Sequence, residues 1–193
     1  MKPRICFVIP SLSVGGTERQ LVYLIEGLVY SFESLVICTR EAGAWADDLG
    51  DDIGVKVLGL GSAWDPRLKA RLRNAFAEFK PDVVHSFMFG FDYAVNVAAR
   101  SVGVPVVISS RRQLATWKKP RHIRLQKRAN ELVDVVVANS AAVAEYAAQQ
   151  EGGRVEKYRV ILNGIDVDEF RSSRDLAETR SDCGIPEGKK IVG

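Results

Sequence analysis

Seven short apolar runs punctuate the chain, and longer segments with helical spacing separate them. Each run is nearly continuous rather than alternating, which is typical of strands that are covered on both faces in a parallel sheet. The predicted strands are Ile5–Ile9, Leu35–Thr39, Val55–Leu60, Val83–His85, Val104–Ser109, Val135–Ala138 and Val160–Leu162.

The intervening segments predict helices from their end signals and apolar stripes. Thr17–Gln20 has the pattern of a capping box, and Asp65–Pro66 is typical of a helix start. Pro120 opens a later helix, and Ser140 caps a helix over Ala141–Gln150. The helix that Pro120 opens carries an apolar stripe of Leu125, Ala129, Leu132 and Val133.

Repeated strand–helix alternation predicts a doubly wound α/β fold with a mainly parallel, Rossmann-like sheet. We assign residues 1–170 to this domain. Residues 171–193 are interpreted as a linker and the start of a further domain, because Ile191–Gly193 has the character of a strand that has just begun. The sequence therefore predicts a second domain beyond residue 193.

Composition places the chain among globular proteins, with 47% hydrophobic and 26% charged residues in 193. No apolar stretch approaches the roughly 18 residues of a membrane span, and the apolar run Ile5–Ile9 is too short for a signal peptide. We therefore expect a cytoplasmic protein. Three dispersed cysteines and two histidines predict neither a disulfide framework nor a metal site, with Cys6 and Cys38 as small buried residues.

The net charge of +3 is unevenly distributed. The segment 111–128 holds eight basic residues and no acidic one, whereas the remainder holds 19 basic and 24 acidic residues. Arg121, Arg124 and Arg128 share one helix face near Trp117, which suits either plain solvation or contact with an anionic membrane surface. Nucleic acid is not expected, because no reader motif is present.

A glycine pair follows the first predicted strand. Gly15 and Gly16 allow close approach of a ligand to the backbone, and the following helix start suits a phosphate. The alternative is a turn that merely starts the helix. The missing third glycine of a GxGxxG motif counts against a nicotinamide-dinucleotide site.

Polar residues also end two other predicted strands. His85 could hydrogen-bond a sugar or phosphate, transfer a proton, or simply be satisfied by a neighbouring carbonyl. Arg111 and Arg112 suit a phosphate or carboxylate, because the guanidinium fork donates in pairs. Parallel strands end at one sheet edge, so we expect these groups to face one site.

Four segments in order resemble a known family. They are Gly15–Arg19 (GGTER), Pro81–Ser86 (PDVVHS), Val137–Ser140 (VANS) and Ile161–Phe170 (ILNGIDVDEF). Together they resemble the N-terminal half of a group 1 (family 4) retaining glycosyltransferase of the GT-B fold. Such enzymes bind a nucleotide sugar between two lobes, and the N-terminal lobe mainly holds the acceptor.

The resemblance implies roles for individual residues. His85 would be the catalytic contact to the sugar. The donor diphosphate or sugar would meet Gly15, Gly16, Asn163 and Gly164. The acceptor side would comprise Ser86, Arg111, Arg112 and Ser140. Many relatives have a histidine where this chain has Arg111 and Arg112, which points to an anionic acceptor such as a lipid-linked phosphate.

The implied reaction is sugar transfer with retention, in which the leaving diphosphate accepts the acceptor's proton. The nucleotide sugar is then a substrate, and no cofactor or metal is expected. The acceptor would be a sugar or a lipid-linked molecule, with peripheral contact to the inner membrane face. The isolated chain would be inactive, because the family's paired glutamates belong to the other lobe. Two alternatives stay open: an NAD-dependent or nucleotide-sugar-modifying Rossmann enzyme, and a non-catalytic module that binds anions or membranes.

Overall fold

The computed structural model describes residues 2–87, 89–168, 175–186 and 188–190. The chain divides into two compact units, Met1–Asn163 and Gly164–Gly193. The predicted domain boundary between residues 170 and 171 and the predicted strand Ile191–Gly193 both lie outside the described residues.

The first unit contains a parallel sheet, to which the described residues contribute seven strands in the order β3-β2-β1-β4-β5-β6-β7. The strands are β1 Arg4–Ile9, β2 Glu33–Cys38, β3 Gly54–Val57, β4 Val83–Ser86, β5 Val106–Arg111, β6 Val135–Ala138 and β7 Tyr158–Val160. The predicted Rossmann-like sheet is confirmed. The strand order reverses between β1 and β4, and a ligand crevice is expected at the carboxyl ends of these two strands.

Helices cover both faces of the sheet. The helices of the first unit are α1 Gly16–Leu28, α2 Leu68–Phe79, α3 Asp92–Ser101, α4 Pro120–Glu131 and α5 Ala141–Glu151. One core cluster joins α1 to the sheet and includes Phe7, Leu21 and Ile25. The other joins α2, α3 and α5 to the opposite face and includes Phe76 and Val107. The helices that leave β1 and β4 therefore diverge, which opens a space between them.

Six of the seven predicted apolar runs form strands, although several bounds differ by one to three residues. Of the seventh run, Val160–Leu162, only Val160 lies in a strand, because β7 covers Tyr158–Val160. The expectation that every strand is covered on both faces holds only for the centre of the sheet. In β3, Val55 and Val57 are 37% and 47% exposed. This strand lies at the sheet edge, where no described strand pairs with its outer flank.

Two predicted helix starts are confirmed and two are wrong. Pro120 is the first residue of α4, and the Ser140 hydroxyl accepts a hydrogen bond from the Val143 amide at 3.2 Å. The capping box at Thr17–Gln20 does not form, because α1 begins one residue earlier without a side-chain cap. The Asp65 carboxylate instead accepts from the amide of Arg67 in the turn that precedes α2.

The second unit contains one described helix, α6 Leu176–Asp182. The Asp175 carboxylate caps it by accepting from the Ala177 amide at 2.6 Å. Among the described residues, no helix combines the length and the apolar character needed to cross a bilayer. Cys6 and Cys38 are buried thiols, as predicted, and Cys183 is an exposed one.

A buried polar network replaces part of the apolar stripe that the sequence predicts for α4. Gln126 and Asn130 face inward together with Ala129, while Leu125 is only half-buried. Gln126 Nε2 donates to Asp92 Oδ2 at 2.9 Å, and Asn130 serves the guanidinium of Arg111, which lies between α3, α4 and α5. Its Nη2 donates to Asn130 Oδ1 at 2.8 Å.

Two carboxylates balance two cations in this network. Arg111 Nη1 donates to Asp92 Oδ2 at 2.9 Å, and Arg111 Nε donates to Glu151 Oε2 at 2.7 Å. Lys118 Nζ makes a second ion pair with Glu151. Burial by itself raises the pKa of Glu151, but the charges of Arg111 and Lys118 outweigh burial and keep this pKa lowered. The carboxylate therefore stays ionised inside the fold.

We predict that Glu151→Gln lowers the free energy of unfolding by about 3–5 kcal/mol, because it leaves two buried cations with too few carboxylates. Urea denaturation of the chain measures this loss. Glu145→Gln is the matched control, since Glu145 lies on the exposed face of α5 and its replacement changes stability by less than about 0.5 kcal/mol. Similar unfolding midpoints for the two variants would contradict the assignment.

Candidate functional site

A cleft of about 230 Å³ lies at the carboxyl end of the sheet. The start of α1, the loop after β4 and the loop after β5 form its walls. Its lining residues are Thr17, Phe89, Ser110, Arg111, Arg112, Gln113, Ala115, Trp117 and Lys118. These elements meet where the strand order reverses, which is the position at which doubly wound sheets bind ligands.

Alternation along β5 decides which polar residues face the cleft. Ser109 and Arg111 point to the face of α3, where the Ser109 hydroxyl lies 3.1 Å from that of Ser86. Ser110 points to the opposite face, towards His85 of the neighbouring strand. Arg112 follows Ser110 by two residues and belongs to the same face. One strand thus supplies both the buried network and the cleft.

His85 is buried behind the cleft rather than exposed in it. Its Nε2 lies 2.8 Å from the Ser110 hydroxyl, and its ring contacts Phe7 and Phe87 at centroid distances of 6.0 and 4.3 Å. Burial, together with the positive charge of Arg112, lowers the pKa of His85 from 6.5 to about 3. The imidazole is therefore neutral near pH 7.

A neutral, buried imidazole restricts the chemistry of the predicted catalytic histidine. Such a ring can accept or donate one hydrogen bond, but it is a weak base. Among the residues that the structure describes, Ser110 connects His85 to the cleft: it lines the cleft, and its hydroxyl oxygen lies 2.8 Å from His85 Nε2. His85 thus orients the Ser110 hydroxyl.

Arg112 and Asn163, two predicted site residues far apart in sequence, are brought together. Arg112 Nη2 donates to Asn163 Oδ1 at 2.7 Å. The Asn139 amide also donates to the carbonyl oxygen of Arg112 at 3.1 Å, which fixes the backbone of the loop. The Nε of Arg112 is buried and has no hydrogen-bond partner among the described residues.

The two glycines of the pair differ in their surroundings. A Cβ at Gly15 would overlap the carboxylate of Glu18, which is the far end of a flexible side chain, and the backbone at Gly15 is extended. A Cβ at Gly16 would meet no atom within 4 Å, and Gly16 is exposed at the first turn of α1. The approach to the α1 backbone is therefore open at Gly16, while an acidic side chain lies beside Gly15.

Three predicted site residues have internal roles. The Ser86 hydroxyl donates to Asp92 at 2.5 Å and is 1% exposed. The Arg111 guanidinium lies in the buried ion network, although Arg111 also contributes to the cleft lining. Ser140 caps α5. Gly164 is exposed and belongs to the second unit.

The sequence did not single out three of the lining residues as ligand contacts: Ser110, Gln113 and Ala115. Phe89 and Trp117 meet edge to face at 5.1 Å, and Lys118 Nζ lies 4.7 Å from the Phe89 ring centre. The loop changes direction at Ala115, whose backbone φ is +48°. Alternation along β5 could have identified Ser110, but the folded-back loop that carries Trp117 gives no periodic signal.

The family model described as "Glycosyltransferase Family 4" matches residues 14–169. The chain belongs to this family. The match begins just before the glycine pair and spans the cleft and the sheet from α1 onward. A search of curated protein sequences finds no match.

Solved structures of glycosyltransferases show the same fold. The structure of Anabaena Alr3699/HepE in complex with UDP and glucose superposes with a TM-score of 0.78 at 22% identity, covering 94% of this chain and 50% of that one. The glycosyltransferase from Rickettsia africae gives a TM-score of 0.76 at 17% identity, covering 97% of this chain and 51% of that one. The fold is that of the N-terminal half of GT-B enzymes.

A more distant similarity involves epimerases. The UDP-GlcNAc 2-epimerase from Neisseria meningitidis, bound to UDP-GlcNAc, gives a TM-score of 0.58 at 18% identity, covering 84% of this chain and 46% of that one. The chain spans about half the length of each of these proteins. Family membership and fold thus agree with the predicted resemblance.

Among the described residues, no cluster of three histidine, cysteine, aspartate or glutamate side chains is arranged to hold a metal ion. The groups that the cleft presents are instead hydroxyls, an amide and a guanidinium. These groups can hydrogen-bond an oxygen-rich ligand and stabilise negative charge.

We predict that Arg112→Gln raises the pKa of His85, because it removes a positive charge that disfavours the imidazolium. The pKa stays below 6.5, since burial is the larger cause of the depression. An NMR titration of the His85 ring measures the change. Arg121→Gln is the control: Arg121 Nε lies 3.2 Å from the ring of His122, not that of His85. An unchanged His85 pKa in Arg112→Gln would contradict the geometry.

Proposed function

We propose that this chain forms the acceptor-side half of an enzyme that transfers a sugar from a nucleotide sugar to an acceptor hydroxyl with retention of anomeric configuration. Membership of Glycosyltransferase Family 4 supports transfer. The cleft at the reversal of strand order supports the location. The superposition onto about half of each structural relative supports the assignment of this chain to one lobe.

The chemical groups of the cleft support the proposed reaction. The bond from the anomeric carbon to the diphosphate oxygen breaks while a bond to the acceptor oxygen forms on the same face. The proton of the acceptor hydroxyl passes to the leaving diphosphate. Such a reaction needs positioning and charge stabilisation rather than a strong base. The neutral imidazole of His85 and the hydrogen-bonding lining of the cleft fit this requirement.

The donor in this proposal approaches the backbone at the start of α1. The open space at Gly16 allows this approach, and the helix start favours a negatively charged group. The carboxylate of Glu18 beside Gly15 opposes an anion at that residue. We therefore assign close donor contact to Gly16 and Thr17 rather than to Gly15. The nucleotide sugar is a substrate, and the proposed reaction uses no cofactor.

The proposal makes the 193-residue chain inactive by itself, because a cleft closed by two lobes positions its substrates only when both are present. The nucleotide would be held mainly by the second lobe. The epimerase-like fold supports an alternative, conversion of a free nucleotide sugar without an acceptor. Transfer and conversion differ in their products, since only transfer adds mass to an acceptor.

We predict that Gly16→Val lowers sugar transfer by about a hundredfold in the protein with both lobes, because the added side chain fills the space of the donor. The release of nucleoside diphosphate from a panel of nucleotide sugars, with the acceptor's mass, measures transfer. The stability of the 193-residue chain changes by less than about 0.5 kcal/mol, since a Cβ there meets no atom.

Gly27→Val is the matched control for this substitution. Gly27 lies in the same helix, and a Cβ there also meets no atom within 4 Å. It is exposed far along α1, beyond the cleft lining. Equal transfer by Gly16→Val and Gly27→Val would refute the donor approach at Gly16.

We further propose that the outer face of α4 contacts an anionic membrane surface that presents the acceptor. The exposed basic side chains of this face are Lys119, Arg121, Arg124, Lys127 and Arg128. Two exposed apolar side chains adjoin it, Leu114 at 45% and Trp117 at 53% exposure. Lys118 is not part of this face, because its side chain is 4% exposed and paired with Glu151.

We predict that the triple change of Lys119, Arg121 and Arg124 to glutamate weakens binding to anionic vesicles at least about tenfold, since each basic side chain contributes about 1 kcal/mol near such a surface. Co-sedimentation with phosphatidylglycerol vesicles measures this. The control changes Arg40, Arg73 and Arg154 to glutamate, an equal charge change at exposed sites elsewhere. If both triple variants pelleted equally with the vesicles, the proposed membrane contact would be contradicted.

A further inference from the structure

Two consecutive arginines have opposite environments. Arg111 is 5% exposed and makes ion pairs with Asp92 and Glu151. Arg112 makes no ion pair with any described residue, and its described side-chain partner is the neutral amide of Asn163. Arg111 is the last residue of β5 and Arg112 follows the strand. Arg112 contacts Asn163 and its charge acts on His85. The carboxylates that balance Arg111 come instead from α3 and α5.

The half-buried guanidinium of Arg112 is left with an uncompensated charge. Burial lowers the pKa of Arg112, which shows that the surroundings disfavour its positive charge. Its Nε is buried and donates to no described residue. Buried donors in native proteins are almost always satisfied, and each exception requires an explanation. An anion that accepts from Nε would supply both the hydrogen bond and the missing charge.

The space beside Arg112 suits a small oxyanion. The described lining of the cleft contains no acidic side chain. The hydroxyls of Ser110 and Thr17 and the amide of Gln113 supply further donors. Ser110 is oriented by its hydrogen bond with His85, and Arg112 by its bond with Asn163. The charges of Arg111 and Lys118, which also line the cleft, are balanced by internal carboxylates.

We propose that Arg112 and Ser110 form a binding site for a phosphoryl group of a substrate. Arg112 provides the charge and guanidinium N–H donors, and Ser110 provides a hydroxyl donor while its oxygen accepts from His85 Nε2–H. The site rests on the proposed function for its role in sugar transfer. Two sources share this chemistry: the diphosphate of the donor and a phosphate carried by the acceptor.

The test titrates the ¹⁵N-labelled chain with methyl phosphate and follows the Nε–H signal of Arg112 by NMR. The signal is expected to shift, and Arg112→Gln is expected to weaken methyl phosphate binding at least tenfold. Arg73→Gln is the matched control, because Arg73 is exposed on α2. An unmoved Nε–H signal, or equal affinity in the two variants, overturns the site.

A second variant keeps the test independent of folding. Asn163→Asp places a carboxylate against Arg112 Nη2 and supplies the missing counter-charge from within the chain. We expect it to raise the melting temperature without phosphate and to weaken methyl phosphate binding at least tenfold. Arg112→Gln is expected to melt no lower than the parent in phosphate-free buffer. Two results together would overturn the site and make Arg112 a structural residue. Arg112→Gln would melt at a markedly lower temperature, and Asn163→Asp would retain its affinity for methyl phosphate.

A UDP titration of the protein with both lobes distinguishes the two sources, because the second lobe is needed to hold the nucleotide. An Arg112 signal that responds to methyl phosphate and UDP alike assigns the site to the donor diphosphate. A response to methyl phosphate alone assigns it to a phosphorylated acceptor. Failure of the proposed sugar transfer would show in the comparison of Gly16→Val with Gly27→Val and would leave this phosphate titration unchanged.

Discussion

The buried ion network around Arg111 is the interaction on which the functional end of the fold depends. Its guanidinium links the end of β5 to α3 through Asp92, to α4 through Asn130 and to α5 through Glu151. Removing these charges from water is costly, and the cost is offset only while two cations face two carboxylates in good geometry. Three helices are thereby fixed against one strand end, beside the cleft.

The same network shapes the cleft, although the network itself is not assigned to ligand binding. Glu151 also holds Lys118, which anchors the far end of the loop after β5. The loop between Arg111 and Lys118 is thus tied at both ends, and it presents Gln113, Ala115 and Trp117 to the cleft. A site built on anchored groups needs little reorganisation when charge develops in a transition state.

In the part of the chain that the structure describes, the cleft combines one cation that has no ion-pair partner, Arg112, with neutral hydrogen-bonding groups. Arg112 favours an anion, and its charge also helps to keep the neighbouring imidazole of His85 neutral. A neutral imidazole suits a positioning role, in which it orients Ser110. Proton transfer between the two substrates removes the need for a strong base, so the electrostatics of the site and the proposed chemistry of retention agree.

The sequence by itself determined six of the seven strands, the sheet class and the family, because continuous apolar runs and short motifs are local signals. It also indicated His85, Arg112 and Asn163 as site residues. Only the tertiary structure decided that Arg111 and Ser86 serve a buried network, and that Gln126, Asn130 and Glu151 face inward. The partners of Arg111 lie 19 and 40 positions away in the chain, and Asn163 lies 51 positions from Arg112. Such pairings arise from packing, so the role of a polar residue depends on which charged residue, distant in sequence, the fold brings next to it.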